Sequence, residues 1–189
     1  MNARIGVIVS AVVLTAASGA AAQGIVTGLS VGGTYSDFQY PDTKSRWGFS
    51  GGLFAGVESR GSLTTFEVNY TQKGGAGARI DYVETGLNVG AIVGGSGGSR
   101  ARLYGGIMVA FPVSCNATNA PKANFCDNTN TEWGSPIGLM LGKWNAKGVL
   151  VGLDARYTFP WSDASLGVNN QTWRFSVILG KAKGGVRPR

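Results

Sequence analysis

The feature that most constrains the fold of this chain is an alternation of apolar and polar residues that recurs in eight segments. A period of two is typical of a β-strand with one apolar face, and no sustained helical stripe competes with it. The predicted strands are Gly28–Phe38, Trp47–Val57, Leu63–Lys73, Ile80–Val93, Arg100–Phe111, Trp133–Lys143, Val149–Phe159 and Thr172–Lys181. The sequence therefore predicts an all-β fold, an eight-stranded antiparallel up-and-down barrel.

The polar faces of these strands hold mostly Gly, Ser and Thr rather than Lys and Glu. Glycine accounts for 31 of the 189 residues and charged residues for only 14% of the chain, whereas an ordinary soluble domain has about 25% charged residues. The chain therefore has too few charges to coat a surface that faces water. Small polar side chains suit the narrow interior of an eight-stranded barrel instead.

Alternation alone does not say which face is outside, because a soluble barrel of the lipocalin type turns its apolar residues inward around a ligand. The lengths of the connections supply one argument. The connections at about 59–62, 94–99 and 144–148 are short, whereas those at 39–46, 74–79, 112–132 and 160–171 are mostly longer. Bacterial outer-membrane barrels show this asymmetry, with short periplasmic turns and longer external loops. The pattern favours a transmembrane barrel.

Aromatic residues supply a second argument. If the first strand runs outward from the periplasm, seven strands place an aromatic side chain on the apolar face near the external end. These residues are Tyr35, Trp47, Tyr70, Phe111, Trp133, Phe159 and Trp173. Because aromatic rings prefer the boundary between hydrocarbon and lipid head groups, we expect a girdle at the external membrane interface. The alternative is that large residues simply end these strands.

The N-terminal residues have the features of a secretory signal peptide. A short basic start through Arg4 precedes an apolar stretch of 13 residues and a small-residue segment that ends at Ala22. A spanning helix needs about 20 apolar residues, so an uncleaved anchor is the weaker alternative. We expect a signal peptide at 1–22, a barrel at 23–181 and a basic tail at 182–189.

The only two cysteines, Cys115 and Cys126, fall in the connection between the fifth and sixth predicted strands. Export to an oxidising compartment and the even count predict a disulfide, with two free thiols as the alternative. A bridge would close a polar loop of ten residues. Its polar members are Asn116, Thr118, Asn119, Lys122 and Asn124. We expect the connection 112–132 to contact an unidentified surface partner.

Five segments carry a resemblance to a known family. They are GLSVGGTYSDF at Gly28–Phe38, GFSGGLFAG at Gly48–Gly56, FEVNYTQKG at Phe66–Gly74, DYVET at Asp81–Thr85 and GLDARY at Gly152–Tyr157. In this order they resemble the PorT-like outer-membrane β-barrel proteins. The resemblance implies a small eight-stranded barrel in a Gram-negative outer membrane, in a family whose members mostly lack an assigned activity. One departure is the end of the chain, which runs past Leu179 into a basic tail instead of ending on an aromatic residue.

The sequence offers little for catalysis. Outer-membrane enzymes for acyl transfer, phospholipid hydrolysis or proteolysis generally use a histidine, and this chain has none. The Gly-rich strings at Gly74–Gly77 and Gly94–Gly98 lack the Lys-Ser/Thr that a phosphate-binding loop requires. We expect no enzymatic activity, no cofactor and no metal.

The predicted lumen holds the one charged constellation of the strands. In this register six charged side chains point inward, Glu67, Glu84, Arg102, Asp154, Arg156 and Arg174. Buried charges must be paired or hydrated, so three acids and three arginines predict internal ion pairs that fill the lumen. A narrow path for ions or solutes, lined near its mouth by Arg156 and Arg174, is the alternative.

Together these features predict an exported, monomeric outer-membrane barrel without catalysis, which acts structurally or as a scaffold for surface-loop binding and adhesion. Its expected surroundings are outer-membrane lipid and lipopolysaccharide, and we expect no binding of nucleic acid. Two alternatives stay open from sequence alone. One is a narrow porin-like channel for ions or small solutes, and the other is a soluble periplasmic barrel that binds an apolar ligand.

Overall fold

The alternating segments form eight antiparallel strands. A computed structural model describes residues 24–39, 44–59, 61–75, 77–96, 98–118 and 124–183. The strands are β1 (Gly24–Phe38), β2 (Arg46–Ser59), β3 (Ser62–Gly75), β4 (Ala78–Gly94), β5 (Ser99–Ala117), β6 (Glu132–Trp144), β7 (Val149–Pro160) and β8 (Asn170–Lys183). The predicted signal peptide at 1–22 and residues 184–189 of the predicted tail lie outside the described residues.

Each strand pairs with its neighbours in sequence, and β8 closes the ring on β1. The predicted eight-stranded up-and-down barrel is thus confirmed. The pairing register shows how strongly the strands are staggered. Starting from Leu29 on β1, one can follow the paired residues from strand to strand around the ring in either direction. Through β2, β3, β4 and β5 the pairs lead to Trp133 on β6. Through β8 and β7 they lead to Lys143 on the same strand. This offset of ten residues requires strands that tilt strongly against the barrel axis.

The two ends of the barrel differ. At one end, called the loop end here, the connections span 39–45, 76–77, 118–131 and 161–169. At the other, the turn end, they span 60–61, 95–98 and 145–148. A single 3-10 turn, Cys126–Asn128, interrupts the long loop between β5 and β6. None of the helical structure in the described ranges is long and apolar enough to cross a membrane.

Alternation places the apolar residues of every strand on the outside. On the outer face Leu53, Leu153 and Trp47 are more than 60% exposed. On the inner face Asn69, Thr71 and Asn88 are buried, although all three are polar. Phe54 departs from the alternation of β2, because its side chain lies inside and packs against a buried apolar cluster. The barrel is therefore apolar outside and largely polar inside.

Several strands are longer than the sequence pattern predicts. β1 begins at Gly24, and β5 continues to Ala117, so Cys115 belongs to a strand and not to the loop. The predicted connection 112–132 therefore shrinks to 118–131, and the one at 74–79 is reduced to residues 76–77. Edge positions of this kind alternate poorly because they lie beyond the continuous apolar band of the outer face. The alternation therefore ends before the hydrogen-bonded strand does.

Pro136 lies within β6, although its missing N–H suggests a position ahead of the paired segment. It pairs with Thr158 on β7. On its other side the ladder to β5 is interrupted, since the register continues from Gly105–Ile137 to Met108–Gly134 without the two pairs between them. The strand tolerates a proline because only one of its two ladders loses a donor there.

Two buried apolar clusters occupy the two ends of the lumen. The loop-end cluster contains Phe38, Ile80, Phe125, Ala164 and Val168, among others. The turn-end cluster contains Val26, Leu63, Met140, Trp144, Leu150 and Ile178. The charged side chains of the inner face are held mainly between these two layers.

Glycine permits the closest contacts between strands β1 and β8. A Cβ added to Gly32 would lie 1.9 Å from the carbonyl oxygen of Phe175 and 2.6 Å from Cα of Ser176. Both atoms belong to the backbone of β8, so neither can rotate away. The ring can therefore close at this point only with a residue that has no side chain.

Candidate functional site: the charged lumen

The lumen holds a set of ion pairs that connects opposite walls of the barrel. These pairs join five carboxylates, Glu58, Glu67, Glu84, Glu132 and Asp154, to five cations, Lys73, Arg100, Arg102, Arg156 and Arg174. All five carboxylates are buried. The equal numbers mean that the paired charges of the lumen cancel.

Glu67 is the centre of the arrangement. Arg156 of β7 donates to both of its oxygens, with Nη2 at 3.1 Å from Oε2. Arg174 of β8 donates Nη2 to both oxygens at 3.3 Å. Because Glu67 lies on β3, these contacts cross the lumen and connect walls that are not neighbours in the ring. Two arginines on one carboxylate form strong charge-assisted hydrogen bonds.

A second carboxylate extends the network toward the loop end. Arg174 Nη1 lies 3.6 Å from Glu84 Oε2, and Lys73 Nζ lies 2.6 Å from Glu84 Oε1. Lys73 also contacts Glu132 Oε2 at 3.1 Å. Tyr82 donates its hydroxyl to Glu132 Oε1 at 2.6 Å, and the Lys73 ammonium lies 5.1 Å from the centre of the Tyr82 ring.

A third carboxylate extends it toward the turn end. Arg156 Nε donates to Asp154 Oδ2 at 3.3 Å, and Tyr104 donates its hydroxyl to the same oxygen at 2.6 Å. The Arg156 guanidinium carbon is 5.3 Å from the centre of the Tyr104 ring. We call the connected set from Glu132 to Asp154 the central network. Its charged members are Lys73, Glu67, Glu84, Glu132, Asp154, Arg156 and Arg174.

Arg102 does not join the central network. It pairs with Glu58 near the turn end, where Arg100 binds the other oxygen of the same carboxylate. Of the six charged residues that the sequence places in the lumen, five therefore come together and one forms a separate pair. The separation follows from position, because Arg102 is near the start of β5 and Glu58 is near the end of β2.

Little free space remains around these groups. One cavity of about 50 Å³ lies toward the turn end between Glu67, Asn88, Tyr104 and Arg156. Another of about 10 Å³ lies beside Glu84 and Arg174. Several buried polar atoms of the lumen lack a partner, among them Asn69 Nδ2, Asn88 Oδ1 and Arg174 Nε. Spaces of this size suit single water molecules that would satisfy such atoms, and they are too small for an organic ligand.

The seven predicted girdle residues all lie on the outer face and are 37% to 65% exposed. Tyr35 pairs in register with both Trp47 and Trp173, and the rings of Tyr35 and Trp47 are 5.1 Å apart. Tyr157 and Phe175 add to the same belt, since each ring packs on Trp173. The alternation places both residues on the apolar face, but the predicted girdle did not include them.

The disulfide between Cys115 and Cys126 is present, with the two Cα atoms 5.5 Å apart. It ties the end of β5 to the start of the 3-10 turn. Next to it Phe125 inserts into the loop-end cluster, and Ser165 of the loop 161–169 donates its hydroxyl to the Phe125 carbonyl at 2.8 Å. Asn130 N–H donates to the Ala164 carbonyl at 2.8 Å. The two longest loops therefore hold each other over the mouth of the lumen.

Sequence reasoning missed four charged members of the lumen, namely Glu58, Lys73, Arg100 and Glu132. Glu58 follows the predicted end of its strand, and Glu132 falls in a predicted loop. Lys73 and Arg100 do have the inward parity of their predicted strands, so the alternation could have identified them. Glu58 and Glu132 could have been placed in the lumen only if the predicted strands had been longer. No group of metal-ligating side chains is found in the described part of the chain.

Several solved structures share this fold, including two that cover most of this chain. The outer membrane protein OprG from Pseudomonas aeruginosa superimposes with a TM-score of 0.57 at 15% identity, over 87% of this chain and 97% of OprG. Neisserial surface protein A superimposes with a TM-score of 0.55 at 14% identity, over 84% of this chain and 96% of that protein. No protein-family model matches the chain, and no curated protein does. The likeness establishes the barrel fold, whereas the resemblance to the PorT-like family gains no support from a family model.

The central network predicts a large cost for removing its middle carboxylate. Glu67→Gln would leave Arg156 and Arg174 with one carboxylate each, and breaking a buried pair costs about 3 to 5 kcal/mol. We expect a loss of this size in the free energy of unfolding, measured by urea titration of the protein folded in phosphatidylcholine vesicles.

The matched control is Asp127→Asn, which neutralises an exposed carboxylate in the long loop and should change stability by no more than about 0.5 kcal/mol. The double variant Glu67→Gln/Arg156→Gln should recover part of the loss, because fewer unpaired charges remain buried. Equal stability of Glu67→Gln and Asp127→Asn would contradict a stabilising role of the network.

Proposed function

We propose that this chain is a non-enzymatic outer-membrane β-barrel protein of a Gram-negative bacterium, exported by the segment 1–22. The observation that carries the proposal is the reversed polarity of the barrel. Large apolar side chains cover the outer face while ionised side chains are buried inside. In water such a surface would expose a continuous apolar patch far larger than soluble monomers tolerate. In a bilayer the same surface contacts hydrocarbon.

The belt of aromatic residues supports the orientation of the barrel. Trp47, Trp133 and Trp173 lie on the outer face close to the loop end of their strands. Aromatic girdles mark the interface between hydrocarbon and head groups. We propose that the loop end faces the cell exterior and the turn end the periplasm. The surroundings would then be phospholipid at the turn end and lipopolysaccharide at the loop end.

The alternatives proposed from the sequence find less support. A soluble barrel that binds an apolar ligand needs an apolar interior, whereas the interior here is crossed by ion pairs. A porin-like channel needs a continuous aqueous path, whereas apolar clusters close both ends of the lumen. The structure therefore favours a scaffold that presents its loops, and it does not favour a channel.

The proposed insertion into a membrane predicts that arginine substitutions on the outer face differ in cost with their depth in the bilayer. Leu87 and Val93 both lie on the outer face of β4. Leu87 pairs with Phe66 and Ile107 in the middle of the apolar band. Val93 is the penultimate residue of the strand and therefore lies near the turn end. Leu87→Arg should cost about 2 to 4 kcal/mol and Val93→Arg at most about 1 kcal/mol, because the penalty for arginine is greatest at the bilayer midplane.

The measurement is urea-dependent folding into phosphatidylcholine vesicles, with folded and unfolded protein separated by their different gel mobility before boiling. Equal costs at the two positions would show that the outer face does not cross a bilayer.

A closed lumen predicts the absence of ion conduction. Protein inserted into planar bilayers should show no steady conductance steps, because the loop-end and turn-end clusters block the path on both sides of the central network. A porin inserted under the same conditions serves as the positive control. Reproducible conductance steps from the folded barrel would favour the channel instead.

We propose further that the disulfide-closed loop contacts a surface partner. Asn116, Thr118 and Asn124 are exposed at the loop end, while Asn119 and Lys122 lie outside the described residues. Replacing all five by serine keeps both cysteines and Phe125, so the loop remains attached to the loop-end cluster. Bacteria that express this variant should attach less to other cells than those with the unchanged protein. Lys147→Ser at the turn end is the control, and unchanged attachment would argue against a contact role of the loop.

A further inference from the structure

Two shallow grooves lie on the outer face of the barrel toward its turn end. The larger has a volume of about 720 Å³ and runs between Leu29, Leu53, Phe66 and Leu179, with Lys181 at its edge. The smaller has a volume of about 480 Å³ and runs between Leu141, Val151 and Val177, with Lys143 at its edge. Each groove is thus an apolar depression with a lysine on its rim.

The lysines are placed alike. Lys143 is the penultimate residue of β6, and Lys181 lies two residues before the end of β8. Both share the outward parity of the exposed residues Leu141 and Leu179 and are themselves exposed. Lys143 is opposite Val151, and Val151 is opposite Leu179. Lys181 lies two residues beyond Leu179, so the backbones of the two lysines are about 12 Å apart across β7. Lys183 continues the row on β8.

Among the described residues, no carboxylate lies beside these positive charges. In the described ranges, every Asp or Glu either points into the lumen or lies at the loop end. Glu58, the carboxylate closest to the turn end, is bound by Arg100 and Arg102 inside the barrel. None of the ion pairs formed by the described residues includes Lys143, Lys181 or Lys183. The charges that the described residues place on the outer face at the turn end are therefore all positive.

The grooves alone would not select a ligand in a membrane, because lipid tails are as apolar as leucine and any tail fits equally well. The lysines provide the discrimination. Their long alkyl stems can lie along the apolar rim while the ammonium groups reach the head-group level. A phosphate head group with net negative charge complements a pair of such ammonium groups, and a zwitterionic head group complements it less well.

We propose that the two grooves together with Lys143, Lys181 and Lys183 bind anionic phospholipid in the leaflet at the turn end. An acyl chain lies in each groove and the phosphate contacts the lysine on its rim. This inference rests on the proposed insertion into a membrane and adds to it the lipid class and the sector of the barrel, β6 to β8 and the adjoining β1. Because each bound phosphate contacts the one lysine on its rim, we expect a preference of about fivefold at each groove.

The test uses the full barrel in phosphatidylcholine vesicles that contain trace spin-labelled phosphatidylglycerol or spin-labelled phosphatidylcholine. Electron paramagnetic resonance measures the ratio of their association constants with the protein. We expect a ratio of about five or more for the unchanged chain, falling toward one as the salt concentration rises.

The triple variant K143Q/K181Q/K183Q should reduce the ratio to near one. The triple variant K143R/K181R/K183R keeps the charges and should retain the preference. Lys44→Gln, which removes an exposed cation at the loop end, should also retain it. Equal association of both lipids with the unchanged barrel, or a preference that survives the glutamine triple variant, would overturn the lipid site while leaving the membrane barrel intact. Failure to insert, seen as an unshifted gel band, would overturn the proposed function and the lipid site together.

Discussion

Hydrogen bonding of every strand to two neighbours is the constraint on which the rest of this structure depends. In hydrocarbon an unpaired backbone N–H or C=O costs several kcal/mol, so strands can cross a bilayer only as a closed ring. Closure between β8 and β1 extends from Phe38–Asn170 to Ile25–Lys183 and leaves no free edge over that length. The ladder that is interrupted at Pro136 shows the limit of the constraint, because the strand keeps its full pairing to β7 there.

Closure of eight strands also fixes what the interior can contain. The lumen of such a ring is only wide enough to be filled by side chains, so any charge that points inward is removed from bulk water. An unpaired charge would be costly there, and the five carboxylates and five cations of the lumen are accordingly joined in pairs. The outer face has the opposite requirement, because it must be apolar, and its exposed residues are apolar. The polarity of both faces thus follows from the same ring.

The parity of residues along each strand could be predicted from the sequence, and with it the inward direction of Glu67, Glu84, Asp154, Arg156 and Arg174. Partner choice could not be predicted, because it depends on the stagger between strands that are far apart in sequence. Glu67 meets Arg174 across 107 residues, and nothing local in either strand specifies that contact. The ends of the strands could not be predicted either, since Glu132 and Cys115 lie past the apolar band that produces the alternation. Phe54 broke the alternation for a reason visible only in three dimensions, because its ring fills the lumen beside Gly28 and Gly180.

The central network has a consequence for the register of the barrel. Side chains alternate with a period of two, so a slip of one residue between β3 and its neighbours would turn Glu67 from the lumen to the outer face and bring Phe66 or Val68 inward. In an ordinary sheet such a slip exchanges polar and apolar side chains at moderate cost. Here it would place a carboxylate on the apolar outer face and leave Arg156 and Arg174 short of one partner. Since the outer faces of all eight strands are similarly apolar, the apolar pattern distinguishes poorly between registers shifted by two residues. The cross-lumen pairs do distinguish them, because a shift of two residues would place Asn69 or Thr65 where Glu67 must meet two arginines. The ion pairs therefore select one register among those that the apolar pattern would allow.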